Sequence, residues 1–334
     1  MKLEKIQILF YSCIATLIAL IDKAPLQLDE RIGTTYIENG FYITYNGILN
    51  NTMEAPYTYR FIVPKIIHFL SEILNCSPIN VAFILNIVCI FCVLSLFNKF
   101  AKTYLNSFES LLTTLVLSFF IAIIQCQIMG IIIIESQDIV NALFFIVLLL
   151  LAQKEKWLLF GLLLGFSITN RETTLILLLP FSSILYKQQK IKQLLWINFI
   201  GIGTYIIIRV LIKVKPSDYP NFANLKTNFP FLDISFLCKS LENNLHLFSL
   251  LLPIIILAFL NLKRQNYYTK SLILTIIPFI FIHYIMGTII ELRLFLPLII
   301  LILPIAIKNL KNNIEKQQNH NFQPKKRKRQ ASNS

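Results

Sequence analysis

Charge is scarce in this sequence: 14% of its 334 residues are Asp, Glu, Lys or Arg, and only 17 are acidic. Histidine (4), tryptophan (2) and glycine (9) are also few. With 56% hydrophobic residues, a soluble core of this length cannot hide the apolar surface, so a water-soluble globular domain is excluded. Apolar-polar alternation is missing too, which argues against strands. What remains is unbroken apolar runs, such as 111–134 and 294–307. In hydrocarbon, where each backbone polar group must be satisfied within its own segment, such runs select an all-α, polytopic transmembrane helix bundle.

Other absences narrow the function. No small-residue cleavage site follows the first apolar segment, 6–21, where the chain reads Ile21-Asp22-Lys23-Ala24-Pro25, so this segment is expected to remain as an anchor. His68, His246 and His283 show no ligand spacing, which argues against a zinc site. Cys89 and Cys92 have the spacing of a redox or metal pair but lie inside an apolar segment without a second pair, and small apolar packing explains them, as it does Cys13 and Cys126. Cys76 and Cys238 fall on one side, leaving a disulfide between them open. No internal repeat is visible, although many transporters are built from repeats.

About ten membrane segments are expected, near 6–21, 80–97, 110–134, 138–152, two within 157–186, 193–213, 246–262, 271–290 and 294–308. The stretch 157–186 needs an argument, because Asn170-Arg171-Glu172 stands at its centre. As one helix it would be about 45 Å long, beyond the roughly 30 Å hydrocarbon core, with both charges near mid-bilayer. As two short helices meeting at 170–171, it brings both charges to an interface. The hairpin also keeps the loop Lys187-Gln188-Gln189-Lys190-Ile191-Lys192 on the cytoplasmic side, as the positive-inside rule requires.

With that topology, both termini are cytoplasmic, and of the 17 acids only Glu4, Glu109, Glu155 and Glu315 share the side that holds most Lys and Arg. The bundle then covers 1–310, with external loops 22–80 and 215–245. Residues 311–334 form a basic, disordered cytoplasmic tail. Its run Lys325-Lys326-Arg327-Lys328-Arg329 fixes orientation and touches anionic lipid; after so many spans, no nucleic-acid partner is expected. A bacterial inner membrane fits this orientation.

The opposite side concentrates the chemistry. In the first external loop, Asp29-Glu30 is followed by Glu54 and by Tyr57-Thr58-Tyr59-Arg60. From Tyr59 to Leu74 the apolar residues recur at helical spacing, which predicts an in-plane amphipathic helix. A guanidinium flanked by aromatic rings, as at Arg60, suits a phosphate or a sugar, and also a lipid headgroup. Asn170-Arg171-Glu172-Thr173 and Glu291-Leu292-Arg293 each place opposite charges at the outer end of an apolar segment, where ionisable groups pair or line a polar cavity. Glu135-Ser136-Gln137-Asp138 reads as the turn of a tight hairpin whose carboxylates are candidate partners for those arginines. The loop 215–245 is long enough for a lid.

Asp29-Glu30, then Glu54 and Tyr59-Arg60 ahead of Pro64, resembles the first-loop pattern of the GT-C superfamily of membrane glycosyltransferases, in particular its mannosyltransferase branch. The likeness covers residues 1–75 by motif and the rest by architecture. This sequence has Leu26-Gln27-Leu28 where the fuller motif carries His-Pro ahead of the acids, and it lacks the Trp that often accompanies the later Glu.

The resemblance implies a polyprenyl-phosphate-linked sugar donor and inverting transfer on the external face. In it, Asp29 is the base toward an acceptor hydroxyl, and Glu30 holds a divalent cation (Mg or Mn) or positions the acceptor. Arg60, Arg171 and Arg293 neutralise the lipid phosphate, with Glu54, Tyr59, Glu135, Asp138, Asn170, Glu172 and Glu291 lining the substrate site. The alternatives are a transporter or flippase for an anionic or lipid-linked solute and a non-catalytic membrane protein.

Overall fold

The computed structural model describes residues 2–28, 33–53, 57–127, 132–212, 237–286 and 292–331. Every regular element among them is helical. The helices are α1 (Lys2–Leu28), α2 (Gly33–Leu49), α3 (Ile62–Leu74), α4 (Pro78–Ala101), α5 (Ser107–Gln127), α6 (Ile132–Gln153), α7 (Trp157–Ile168), α8 (Leu178–Lys187), α9 (Ile191–Leu211), α10 (Leu237–Phe259), α11 (Tyr267–Leu274), α12 (Ile276–Met286) and α13 (Leu296–Ala331). Short 3-10 segments cover Tyr57–Tyr59, Glu172–Leu177, Leu262–Arg264 and Leu292–Phe295.

Six of these helical stretches are long and apolar enough to cross a membrane: Pro78–Ala101, Ser107–Gln125, Ser136–Gln153, Ile191–Leu211, Tyr267–Ile285 and Arg293–Gln318. Shorter apolar helices cover Ile6–Leu20, Trp157–Ile168 and Phe248–Phe259. The chain is therefore a multi-pass membrane protein in architecture, and its bundle contacts lipid through outward apolar side chains such as Phe119, Phe199 and Phe281.

Within 157–186 the chain reverses. Trp157 and Phe181 have ring centroids 5.9 Å apart, and Phe160 lies 5.1 Å from Phe181. One continuous helix would separate Trp157 from Phe181 by about 36 Å. α7 ends at Ile168, Arg171 is extended, and the 3-10 segment Glu172–Leu177 leads into α8. α9 packs against both arms. Glycines bring α7 close to it: a Cβ on Gly161 would meet the Trp196 ring at 2.5 Å, and one on Gly165 would meet Ile200 at 2.9 Å.

At one end of the bundle the lysine-bearing connections meet. Lys190 pairs with Glu155 at 2.6 Å and Lys311 with Glu109 at 2.7 Å. Gln153 donates to Thr103 at 3.1 Å, and Gln265 donates to Asn309 at 2.6 Å. Asn309, fully buried, donates to the carbonyls of Leu257 and Ala258 at 3.1 and 3.0 Å. Those carbonyls belong to the last turn of α10, where helical donors run out, so one amide caps α10 and locks it to α13.

The structure departs from the sequence reading in several places. The first external loop is largely helical: α1 runs through Leu28, and α2 was not expected. Thr, Tyr, Ile and Gly are modest helix formers, and α2 is held by packing, with Phe41, Tyr45 and Ile48 buried. α3 occupies the stretch read as an in-plane helix, with Ile62, Val63 and Ile67 buried and Ile66, Phe69, Ile73 and Leu74 exposed.

Glu135 to Asp138 is not a turn. α6 already begins at Ile132, so these residues continue a helix. The span read as 271–290 is interrupted at Thr275, because Pro278 cannot donate to the carbonyl one turn back and its ring crowds that position. The tail 311–334, read as disordered, continues α13 as helix to Ala331. No glycine stops it, and Lys311 and Glu315 support it as an i,i+4 pair at 3.9 Å. Cys76 is a free thiol.

Candidate functional site

At the end opposite the lysines, three arginines from distant parts of the chain come together. Arg60 follows the 3-10 turn Tyr57–Tyr59 and precedes α3. That turn is anchored by the fully buried Thr58, whose hydroxyl donates to the carbonyl of Met53. Arg171 stands at the tip of the α7–α8 hairpin, and Arg293 lies in the 3-10 turn that opens α13. All three are buried.

α6 supplies their counterpart. Gln137, Asp138 and Asn141, all buried, fall in the first turns of this helix. Asp138 holds Arg171 with one carboxylate oxygen and Arg293, at 3.4 Å, with the other. Asn170 donates to the carbonyl of Gln137 at 2.9 Å, and Gln137 donates to the carbonyl of Arg60 at 3.2 Å. Asn141 donates to the Thr173 hydroxyl at 3.2 Å. The hairpin tip is tied internally by Ser167 donating to Thr174 at 2.9 Å. The result is a connected polar patch at the end of an apolar bundle.

Glu172 completes the patch by accepting from Arg60 at 3.2 Å. Burial pushes its carboxyl up, but the guanidinium of Arg60, with a hydrogen bond and the nearby charge of Arg171, holds it below the usual carboxylate range. Among the described residues, several buried polar atoms here find no partner: Nε of Arg60, Oε1 of Gln137, and Oδ1 of both Asn141 and Asn170. Buried polar atoms are normally hydrogen-bonded, and a cluster of exceptions in one place calls for an account.

Of the residues singled out in sequence, Tyr59, Arg60, Asp138, Asn170, Arg171, Glu172 and Arg293 lie in or against this patch. Glu135 belongs to α6, but its side chain is outside the described residues, as are Asp29, Glu30, Glu54 and Glu291. Asp29 and Glu30 directly follow the end of α1 at Leu28. Among the described residues no group of three or more His, Cys, Asp and Glu is arranged to hold a metal ion.

Three contributors were missed in sequence. Gln137 and Asn141 carry no motif, and only the register of α6 turns them inward. Arg209 lies over the rings of Tyr205, at 3.7 Å, and Tyr59, at 4.7 Å, bracing the residue next to Arg60. The i,i+4 spacing of Tyr205 and Arg209 near the outer end of a predicted span was the available signal. His283 is a packed residue, stacked on Phe279 at 4.2 Å and lying 5.6 Å from Phe295.

Fold and site together define a multi-pass α-helical membrane protein with a buried arginine-carboxylate cluster at one end of its bundle. Comparison with known proteins finds no matching family model, no matching curated protein and no matching solved structure.

Proposed function

We propose that this protein is a membrane glycosyltransferase that moves a sugar from a polyprenyl-phosphate carrier to an acceptor hydroxyl at its arginine-bearing end. The observation that carries the reading is the convergence of Arg60, Arg171 and Arg293 on one patch that also holds unpartnered buried polar atoms. Ionisable groups gathered at the outer ends of membrane helices pair with one another or line a polar cavity, and such a cluster is a functional-site hypothesis by default. In this reading the chain crosses a bacterial inner membrane about ten times with both termini cytoplasmic. α3 lies in the interface, its exposed Ile66, Phe69, Ile73 and Leu74 against lipid.

The carboxylate of Asp29 takes the proton of the acceptor hydroxyl while its oxygen attacks the anomeric carbon. The bond from that carbon to the phosphate oxygen breaks, and the arginines meet the charge that grows on the departing phosphate. Glu30 orients the acceptor or holds a divalent cation, which would supply further charge neutralisation. Asp29→Asn is expected to abolish transfer in membranes supplied with radiolabelled polyprenyl-phosphate hexoses; retained transfer removes Asp29 from the mechanism.

A second reading rests on the pairs themselves. Each of the three arginines already meets an acid, as in a purely structural clasp between helix ends. Exchanging Arg60 and Glu172 separates the two. A clasp is rescued in both folding and transfer by the exchange, whereas a phosphate site regains folding alone. A transporter or flippase for an anionic lipid-linked solute would use the same arginines, and it would move the labelled carrier across sealed vesicles without transferring the sugar.

A further inference from the structure

α9 runs from one end of the bundle to the other. It starts beside Lys190, which pairs with Glu155 among the lysines, and its last turn carries Arg209 over the rings of Tyr205, at 3.7 Å, and Tyr59, at 4.7 Å. Arg60, Arg171 and Arg293 each meet an acid. Among the described residues Arg209 meets rings alone. Arg209, Tyr205 and Tyr59 are all half-buried, so this group is partly open to its surroundings.

The helix below it faces lipid. α9 is the least buried of the six spans, at 17% against 39% or more for the others. Leu195, Phe199, Ile202, Ile206 and Val210 are exposed and recur at spacings of three and four, which makes one continuous apolar strip. At about 100° per residue, Arg209 falls within about 60° of Ile202 and Ile206, at the outer end of that strip. From Phe199 to Arg209 the helix rises about 15 Å, the hydrocarbon depth of one leaflet.

A cation in the last turn of a helix suits the dipole, which accounts for the charge. It does not account for two tyrosine rings held against it. Stacking on rings fixes the plane of a guanidinium and leaves its in-plane N–H groups for a phosphate, which they meet with two parallel hydrogen bonds.

We propose that Arg209, with Tyr59 and Tyr205, is a docking site for an anionic glycerophospholipid, its phosphodiester on the guanidinium and one acyl chain along the strip from Phe199 to Val210. The inference is independent of the transferase reading, since a bulk membrane lipid rather than a sugar carrier occupies the site.

Tyr205→Trp keeps an aromatic face for Arg209 and makes the site its own fluorescent reporter; the signal of Trp157 and Trp196, read from the protein without that substitution, is subtracted. The full-length protein is reconstituted in phosphatidylcholine vesicles with rising fractions of phosphatidylglycerol bearing dibrominated acyl chains, which quench a neighbouring indole. Quenching is expected to exceed that by dibrominated phosphatidylcholine, with a preference of about fivefold. Arg209→Gln should bring the two curves together. Arg209→Lys keeps the charge without the planar fork, and should leave a preference of about twofold; it reads the same quantity if the Gln variant does not fold. Millimolar glycerol 3-phosphate should leave the quenching unchanged, because a headgroup without chains gains nothing from the strip. Coincident curves with Arg209 present, an undiminished preference in either Arg209 variant, or displacement by glycerol 3-phosphate overturns the proposal.

Discussion

Arg293 reaches Asp138, 155 residues away in the chain, at 3.4 Å, and shares that carboxylate with Arg171. One side chain on α6 therefore joins the hairpin tip to the start of the last helix. Removing one partner from a buried ion pair costs roughly 3–5 kcal/mol, because the remaining charge is left without compensation. Asp138→Asn is expected to lower stability by about that amount, read as a fall in the thermal unfolding midpoint in detergent. A change of under about 1 kcal/mol, the range typical of exposed pairs, would show that the cluster is open to water.

Glu172 gives a pH dependence of definite sign. Its carboxyl is held below the usual range by Arg60, so its contribution is complete at neutral pH and disappears as pH falls through that lowered value. The side chain is 25% exposed, and the effect is correspondingly modest, about 1 kcal/mol. Glu172→Gln should reduce the midpoint at pH 7 while flattening its decline on acidification. An equally steep acid limb in the variant assigns that limb to other carboxylates.

The approach of α7 to α9 rests on absent side chains. Gly161→Val and Gly165→Val drive a methyl-bearing carbon into Trp196 and into Ile200 and Thr204, and overpacking of this kind costs about 1–3 kcal/mol. Gly203→Ala meets nothing within 4 Å and serves as the control. Size-exclusion profiles of the fluorescently tagged variants should separate the two classes; similar profiles would mean that the interface yields.

The reversal at 169–177 has a topological consequence. In a cysteine-free background, Thr169→Cys and Lys192→Cys are expected to react with a membrane-impermeant thiol reagent from opposite sides of the membrane. Labelling from the same side would break the ten-segment topology, since α8 would then not cross.

Much of the site's location was legible because charge in an apolar chain is confined to the ends of helices. Together with the positive-inside rule, that constraint assigned Arg60, Arg171 and Arg293 to one face, and the excess length of 157–186 forced its break near Arg171. The pairing was not legible. Glu172 adjoins Arg171 in sequence yet bonds Arg60, while Arg171 turns to Asp138. At the extended Arg171, neighbouring side chains point in different directions, so adjacency in sequence says little about contact. Gln137 and Asn141 were missed for a related reason: reading 135–138 as a turn shifted the start of α6 and hid the face that its first turns present.

The sequence by itself determined the all-helical membrane class, the division of charge between two ends and the reversal inside 157–186. Each follows from one local quantity, the cost of placing polar groups or unpaired backbone in hydrocarbon. Tertiary structure alone decided which acid meets which arginine, that α2 folds from residues of modest helix propensity, and that α13 continues past the apolar core. Those outcomes depend on what each face packs against, and a one-dimensional pattern of hydrophobicity and charge contains no record of neighbours 155 residues apart.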